Sequence, residues 1–150
     1  MIAIASDHVG LLLKKEIIVL LEEMNLDYKD FGTTKTDRTD YTIYGYPAAL
    51  AVASGEYDRG LLFCGTGIGI SLAANKVKGI RCAVCSDCYS AVLSRQHNNS
   101  NMLALGARVV GLDLAKMIVR LWLETSYEGG RHQTRLDHIS QIESGKVDFL

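Results

Sequence analysis

The segment from Cys64 to Gly69 has the residue types best suited to chemistry. It reads Cys-Gly-Thr-Gly-Ile-Gly and follows the apolar run at 61–63, so a buried strand is expected to pass through a glycine-rich turn into a helix. The exposed backbone N–H groups of such a turn, together with the partial positive charge at a helix start, form a binding site for an anion. The segment therefore predicts a place where a negatively charged oxygen is held.

Cys64 lies where this strand ends. A helix N-terminus favours the thiolate, which is the form of cysteine that accepts a proton, so Cys64 is a candidate general base. The alternative is a small buried core residue, which is how free cysteines most often behave. A nucleotide site is disfavoured, because glycines at 65, 67 and 69 do not match G-x-G-x-x-G and no P-loop lysine follows.

Two histidines stand near predicted element ends. Asp7 and His8 follow the first apolar run, where the carboxylate could orient a substrate hydroxyl and the imidazole could relay a proton or contact an anion. Equally, Asp7 could be an N-cap and His8 a first-turn residue. His97 and Asn98 end a predicted helix, where both residue types are also common.

Near the C-terminus, Arg131 and Arg135 follow the pair Gly129-Gly130. Their spacing places both guanidinium groups on one side of a helical turn, which suits them to bind phosphate. The alternative is an ion pair with a carboxylate such as Glu128.

A run of three cysteines, Cys82, Cys85 and Cys88, invites a metal interpretation. Side chains alternate across a strand, so Cys82 and Cys85 are expected to face opposite sides, and no second Cys-x-x-Cys pair supplies the other half of a zinc site. Core packing is the favoured interpretation, and neither a metal nor a cofactor is predicted.

The elements that position these residues form an alternating pattern of short apolar runs and longer helical segments, which predicts an α/β fold with a five-stranded parallel sheet. At 150 residues and without a linker, the chain is expected to be a single domain, 1–150. The loops after parallel strands meet at one edge of the sheet, where ligands bind in such folds. Strands are expected at 2–6, 28–31, 60–64, 81–85 and 102–105, and helices at 9–24, 43–54, 67–76, 88–97, 112–125 and 136–144.

Charge and hydropathy exclude several classes of partner. The chain has 16 basic and 17 acidic residues, so it has no positive field that would hold nucleic acid or an anionic membrane. Residues 1–8 lack the features of a signal peptide, and no apolar run is long enough to span a bilayer. We therefore expect a cytoplasmic protein with reduced cysteines. The segment from about 126 to 150 adds little to the sheet and is expected to pack on a second subunit of a dimer.

Several of these motifs, in this order, resemble the ribose-5-phosphate isomerase B family, which includes allose-6-phosphate isomerase and the galactose-6-phosphate isomerase subunits. The resemblance covers nearly the whole chain. It depends on Ser6-Asp7-His8, Asp40-Tyr41, the segment 64–71 with 74–76, His97-Asn98, the segment 106–111, and the segment 129–132 with Arg135.

The resemblance implies a three-layer, Rossmann-like α/β/α domain and a homodimer whose active sites are shared between subunits. Whether two dimers pair into a tetramer stays open. It also implies an aldose–ketose isomerase of the pentose phosphate pathway that works without a cofactor on a phosphorylated sugar. Ribose 5-phosphate is the expected substrate, and allose 6-phosphate or galactose 6-phosphate is the alternative. Two other hypotheses stay open: a noncatalytic sugar-phosphate-binding module, and a metal or redox sensor that uses the three clustered cysteines.

By the same resemblance, Cys64 is the catalytic base, Thr66 lies beside the reacting oxygens, and His97 opens the sugar ring with help from Asp7. The remaining positions are expected to bind substrate. They are Gly65, Gly67 and Gly69 as the anion hole, His8, Arg108, Arg131 and Arg135 for the phosphate, and Asp40, Tyr41 and Asn98 for the sugar. This sequence departs from the family's usual residues at Val9 and Asn99, which leaves the identity of the sugar open. It also departs at 42–47, which predicts a differently shaped rim.

Overall fold

The alternating pattern folds into a five-stranded sheet in which every strand is parallel, in the order β2-β1-β3-β5-β4. The computed structural model describes residues 1–149. All five predicted strands and all six predicted helices are present, with most ends shifted by one or two residues. The elements are β1 (Ile2–Ser6), α1 (Leu11–Glu23), β2 (Tyr28–Asp30), α2 (Thr42–Ala53), β3 (Arg59–Cys64), α3 (Ile68–Ala74), β4 (Cys82–Val84), α4 (Cys88–Gln96), β5 (Met102–Gly106), α5 (Leu112–Glu124) and α6 (Arg131–Ser144).

The three central strands are buried on both faces, as their apolar sequences predict. On one face, Ile4 and Phe63 pack with Ile17 of α1 and Trp122 of α5. On the other face, Leu62 and the side chains beside it pack with α2 and α3. This arrangement confirms the three-layer α/β/α class and a single domain.

The chain reverses its direction across the sheet between β1 and β3. From β1 it moves outward to β2, and from β3 it moves to the opposite side, so a crevice opens at the carboxyl ends of β1 and β3. Gly10 lets the start of α1 cross this point closely, because a Cβ there would lie 2.4 Å from the carbonyl oxygen of Phe63. The topology thus directs the loops after β1 and β3 to the same crevice.

The start of the last helix differs from the prediction. α6 begins at Arg131 instead of 136, because Gly130 adopts a positive φ of 55° and the N–H of His132 bonds to the carbonyl of Gly129. Positions 131–135 are mostly polar, so no apolar period marked this first turn. Only His132 and Leu136 are buried in α6.

The rest of α6 is open to solvent, with Ile139 44% and Ile142 60% exposed. Within the described part of the chain, no helix combines the length and the hydropathy needed to cross a bilayer.

Candidate active site

Cys64 ends β3 inside the crevice, with only 4% of the residue exposed. Its sulfur accepts a hydrogen bond from the backbone N–H of Gly67 at 3.2 Å. A donor at this distance stabilises negative charge on sulfur. The Cys64 side chain therefore packs in the core layer and also borders the rim of the crevice at the carboxyl ends of β1 and β3. The core interpretation and the functional one are compatible.

The glycine turn has the backbone geometry that an anion site needs. Gly67 has a φ of +80°, and a Cβ there would lie 3.0 Å from the carbonyl carbon of Leu105, so this position requires glycine. Thr66 is exposed, and its hydroxyl accepts the N–H of Ile68 at 3.3 Å. No acceptor within residues 1–149 takes the N–H groups of Gly65 and Thr66. The turn therefore presents free donors beside the sulfur.

Asp7 and His8 enter the crevice from β1. The Asp7 carboxylate accepts the N–H groups of Val9 and Gly10, both at 2.9 Å, so it caps this turn much as the capping alternative expected. The Nδ1 atom of His8 accepts the N–H of Thr39 at 3.3 Å, which leaves Nε2 as the nitrogen available to a ligand. These bonds fix both side chains at the rim.

Three more predicted residues join the same rim. The ring of Tyr41 covers the turn so closely that a Cβ on Gly69 would lie 2.6 Å from it. Asp40 precedes Tyr41 and is exposed. Arg108 follows β5, and its N–H bonds to the carbonyl of Gly65 at 3.0 Å. The structure thus brings Asp7, His8, Asp40, Tyr41, the 64–69 turn and Arg108 together.

Four predicted residues lie at the opposite edge of the sheet. α4 runs back from the carboxyl edge, so His97 and Asn98 at its end stand near the strand starts. The carbonyl of Asn98 accepts a hydrogen bond from Arg81, the residue just before β4. A six-residue strand spans roughly 17 Å, and about that distance separates these residues from Cys64 within one chain.

Arg131 and Arg135 share this second edge. They lie one turn apart on α6 and are exposed, with the Arg135 guanidinium bonded to the carbonyl of Arg131 at 3.0 Å. Neither forms an ion pair within residues 1–149, so the predicted alternative pairing with Glu128 is wrong.

Glu128 instead contacts two histidines. Its carboxylate lies 4.0 Å from Nε2 of His97 and 3.6 Å from Nε2 of His132. The two imidazole rings are stacked, with centroids 4.2 Å apart and planes 10° apart. Burial and the positive charges of His97 and Arg131 lower the pKa of His132.

The trio of His97, Glu128 and His132 is the group in the described chain best placed to hold a metal ion, since its ligand atoms lie within 4.8 Å of one another. Nitrogen lone pairs lie in the ring planes, and two nearly parallel planes cannot direct them at one ion about 2.0–2.1 Å from each nitrogen. The trio as arranged therefore suits proton chemistry better than metal binding.

The three clustered cysteines are separated by the sheet. Cys82 packs with the α2/α3 layer, whereas Cys85 lies in the opposite layer, which confirms that they face opposite sides. Burial raises the pKa of both thiols, that of Cys85 to about 11, so they stay protonated at neutral pH. This arrangement disfavours the metal or redox sensor.

Comparison with known proteins decides the family. Residues 2–139 match the Ribose/Galactose Isomerase family. The chain belongs to this family. It is 59% identical to the ribose-5-phosphate isomerase B of Escherichia coli strain K12 over 95% of each chain. This isomerase therefore catalyses an aldose–ketose interconversion of a sugar phosphate.

Two solved structures support the same assignment. The ribose-5-phosphate isomerase B of Clostridium thermocellum is 53% identical, with a TM-score of 0.95, covering 96% of this chain and 97% of the other. The Mycoplasma genitalium enzyme, solved with bound ribulose-5-phosphate, is 41% identical, with a TM-score of 0.92 and 95% coverage of each chain.

Sequence reasoning about this ribose/galactose isomerase missed three residues that support the two edges. Glu128 and His132 contact His97 only because the start of α6 lies against the end of α4. Their spacing of four residues and their place beside the diglycine were visible in the sequence. Lys14 of α1 is 1% exposed, and its ammonium group contacts Asp30 at 2.7 Å. A lysine in line with Leu11 and Ile17 on the apolar face of the helix was the available signal.

Proposed function

We propose that the chain interconverts ribose 5-phosphate and ribulose 5-phosphate through a cis-enediolate, with Cys64 as the base. The observation that supports this most directly is the Gly67 N–H bonded to the Cys64 sulfur beside free backbone donors. Family membership supports the reaction class, and the name of the Escherichia coli relative supports the substrate.

The chemistry follows from this geometry. After the ring opens, the Cys64 thiolate removes the proton from C2 of the aldose, and the electron pair of that bond forms the C1–C2 double bond while negative charge moves to O1. The N–H groups of the 65–69 turn, with Thr66 beside them, stabilise that oxygen. Donors of this kind typically contribute about 10²–10³ in rate. A proton then passes from O2 to O1, the Cys64 thiol returns its proton to C1, and a carbonyl forms at C2, which gives the ketose and restores the thiolate.

The proposed active site takes residues from two copies of the chain. Cys64 and His97 lie at opposite edges of one sheet, so a single copy cannot bring both to one sugar. In a twofold dimer, the second edge of one copy meets the first edge of the other. His8 and Arg108 would then bind the phosphate together with Arg131 and Arg135 of the partner subunit, and Asn98 of the partner subunit would contact the sugar. The weakly packed α6 is the element proposed to lie on the partner.

The test is a panel of ribose 5-phosphate, allose 6-phosphate and galactose 6-phosphate, assayed for ketose formation with the unmodified chain, Cys64→Ala and Cys88→Ala. We expect ribose 5-phosphate to give the highest kcat/KM. Cys64→Ala should lose about 10³-fold or more in kcat while still binding the sugar phosphate, because general-base catalysis typically contributes 10²–10⁴-fold. Cys88→Ala, a matched control outside the crevice, should retain activity.

More than a few per cent of activity in Cys64→Ala would place the base elsewhere. Binding of all three sugars without conversion by the unmodified chain would favour the sugar-phosphate-binding module over the isomerase.

A further inference from the structure

Glu128 is held beside the predicted ring-opening histidine by its own backbone. Its N–H donates to the carbonyl of Gln96 at 3.0 Å, which ties the segment before α6 to the last turn of α4. The next residue along α4 is His97. The Glu128 side chain is 51% exposed, so its position beside two imidazoles is not a consequence of burial in the core.

The diglycine after Glu128 brings the second histidine back to the same place. Gly129 and Gly130 have φ values of 67° and 55°, which fold the chain sharply into α6. His132, four residues after Glu128 and in the first turn of α6, is then 7% exposed and stacked on His97. The loop therefore delivers a carboxylate and a flat buried ring to His97 together.

Opening a furanose requires a proton to move. The C1–O4 bond breaks, the C1=O1 carbonyl forms, and one proton passes from O1 to O4, with no net gain or loss of protons or electrons. A single imidazole that takes the first proton and returns it can perform this transfer. It must keep its orientation while its charge changes.

The trio meets this requirement. Two imidazoles 4.2 Å apart resist carrying positive charge simultaneously, and the pKa of buried His132 is lowered by desolvation, by His97 and by Arg131. Arg135 acts on His132 in the same direction, and only Glu128 opposes it. The lowered pKa keeps His132 neutral, so the stacked ring adds no positive charge beside His97, whose Nε2 lies 4.0 Å from the Glu128 carboxylate.

We infer that Glu128 is a positioning residue. Together with the His132 ring stacked on His97, it orients the His97 imidazole for opening the sugar ring. This inference rests on the proposed function. It adds a residue that acts through His97 and does not itself touch the reacting atoms.

A double-mutant cycle tests it. kcat/KM for ribose 5-phosphate is measured for the unmodified chain, Glu128→Gln, His97→Asn and the double variant. We expect Glu128→Gln to lose about tenfold, below the 10²–10⁴-fold range of a positioned acid–base group. In the His97→Asn background it should lose less than about twofold, because the group through which it acts is gone. Glu124→Gln, a matched carboxylate paired with Arg120, should have no effect.

A second readout isolates ring opening. When turnover depends on the spontaneously opened sugar, the rate stops rising with enzyme concentration once it reaches the spontaneous ring-opening rate, which NMR measures separately. His97→Asn should level off at this limit. Glu128→Gln should bend near it to a shallower slope, because it keeps part of the catalysed ring opening, whereas the unmodified chain should pass the limit without bending. A purely structural defect would lower the slope without bending the line.

Equal losses from Glu128→Gln in both backgrounds, or a straight line for that variant, would overturn the inference and leave the isomerase proposal intact. Failure of the unmodified chain to convert any aldose phosphate would overturn both.

Discussion

At the scale of single residues, Gly67 connects backbone conformation to chemistry. Its φ of +80° turns its N–H toward the sulfur of Cys64, and the backbone at the end of β5 fills the space where a side chain would stand. Gly65, two residues earlier, has no such constraint, since a Cβ there would lie 3.8 Å from Val9. Two glycines of one motif therefore have different reasons to be glycine.

Gly67→Ala should destabilise the chain by about 1–3 kcal/mol, because a left-handed conformation is strained for alanine and its Cβ would press on Leu105. Thermal unfolding should shift down by roughly 2–4 °C per kcal/mol. kcat should fall as well, because the donor to Cys64 moves.

The matched control is Gly65→Ala, whose stability should stay within about 0.5 kcal/mol of the unmodified chain. Equal melting temperatures for the two variants, measured by circular dichroism, would contradict the argument.

At the scale of elements, α1 holds the loop that carries Asp40 and Tyr41, which are predicted to bind the sugar. The Lys14 ammonium bonds to the Asp30 carboxylate and to the carbonyl of Thr33 at 2.7 Å, at the start of the loop between β2 and α2. Further along that loop, Thr39 donates to His8, and its hydroxyl bonds to Tyr44 at 3.0 Å. A buried charge in a helix thus fixes a loop at the active-site rim.

Lys14→Met should destabilise the chain by roughly 2–4 kcal/mol, because it leaves Asp30 and the Thr33 carbonyl without their partner. The 27% exposure of Asp30 keeps this below the cost for a fully buried pair. We also expect KM to rise as the loop loosens. Lys15→Met, one residue away on the exposed side, is the control and should change neither quantity. Urea unfolding and steady-state kinetics measure both, and identical midpoints would refute the role of Lys14.

The sequence predicted elements better than it predicted contacts between them. Strands such as 60–64 were recognisable because apolar runs report burial locally, and the Cys64 turn was recognisable because all its parts are adjacent. The first turn of α6 was missed since a backbone reversal at Gly130, not an apolar period, starts it. A related reason explains why the roles of Glu128, His132 and Lys14 were missed. Each of them contacts a residue at least 16 positions away, or depends on the start of α6, which the apolar pattern does not show.

At the scale of the whole molecule, the predicted site residues divide into two sets at opposite edges of the sheet. Family resemblance named both sets, but only the topology shows that one chain holds them about a strand length apart. In the proposed dimer, this separation means that each active site needs residues from two copies of the chain.

Mixing two defective variants tests that requirement. Cys64→Ala lacks the first edge and His97→Asn lacks the second, so a mixed dimer has one intact active site. Random reassortment by co-expression or refolding should restore about a quarter of the activity of the unmodified chain, because half the dimers are mixed and each has one working site.

The control mixes Cys64→Ala with Thr66→Ala, whose defects lie at the same edge, and should restore nothing. No recovery in the first mixture would mean that each copy works alone.

The length of the central strands also fixes a distance between two groups of predicted site residues. In a site shared between two copies, β3 and β5 set how far each copy's base stands from the histidine that it lends to its neighbour. Each residue added to a strand would lengthen this spacing by about 3.3 Å and move both sites of the dimer out of alignment at once. In the proposed dimer, strand length would therefore affect catalysis even though the middle of each strand lies away from both proposed sites.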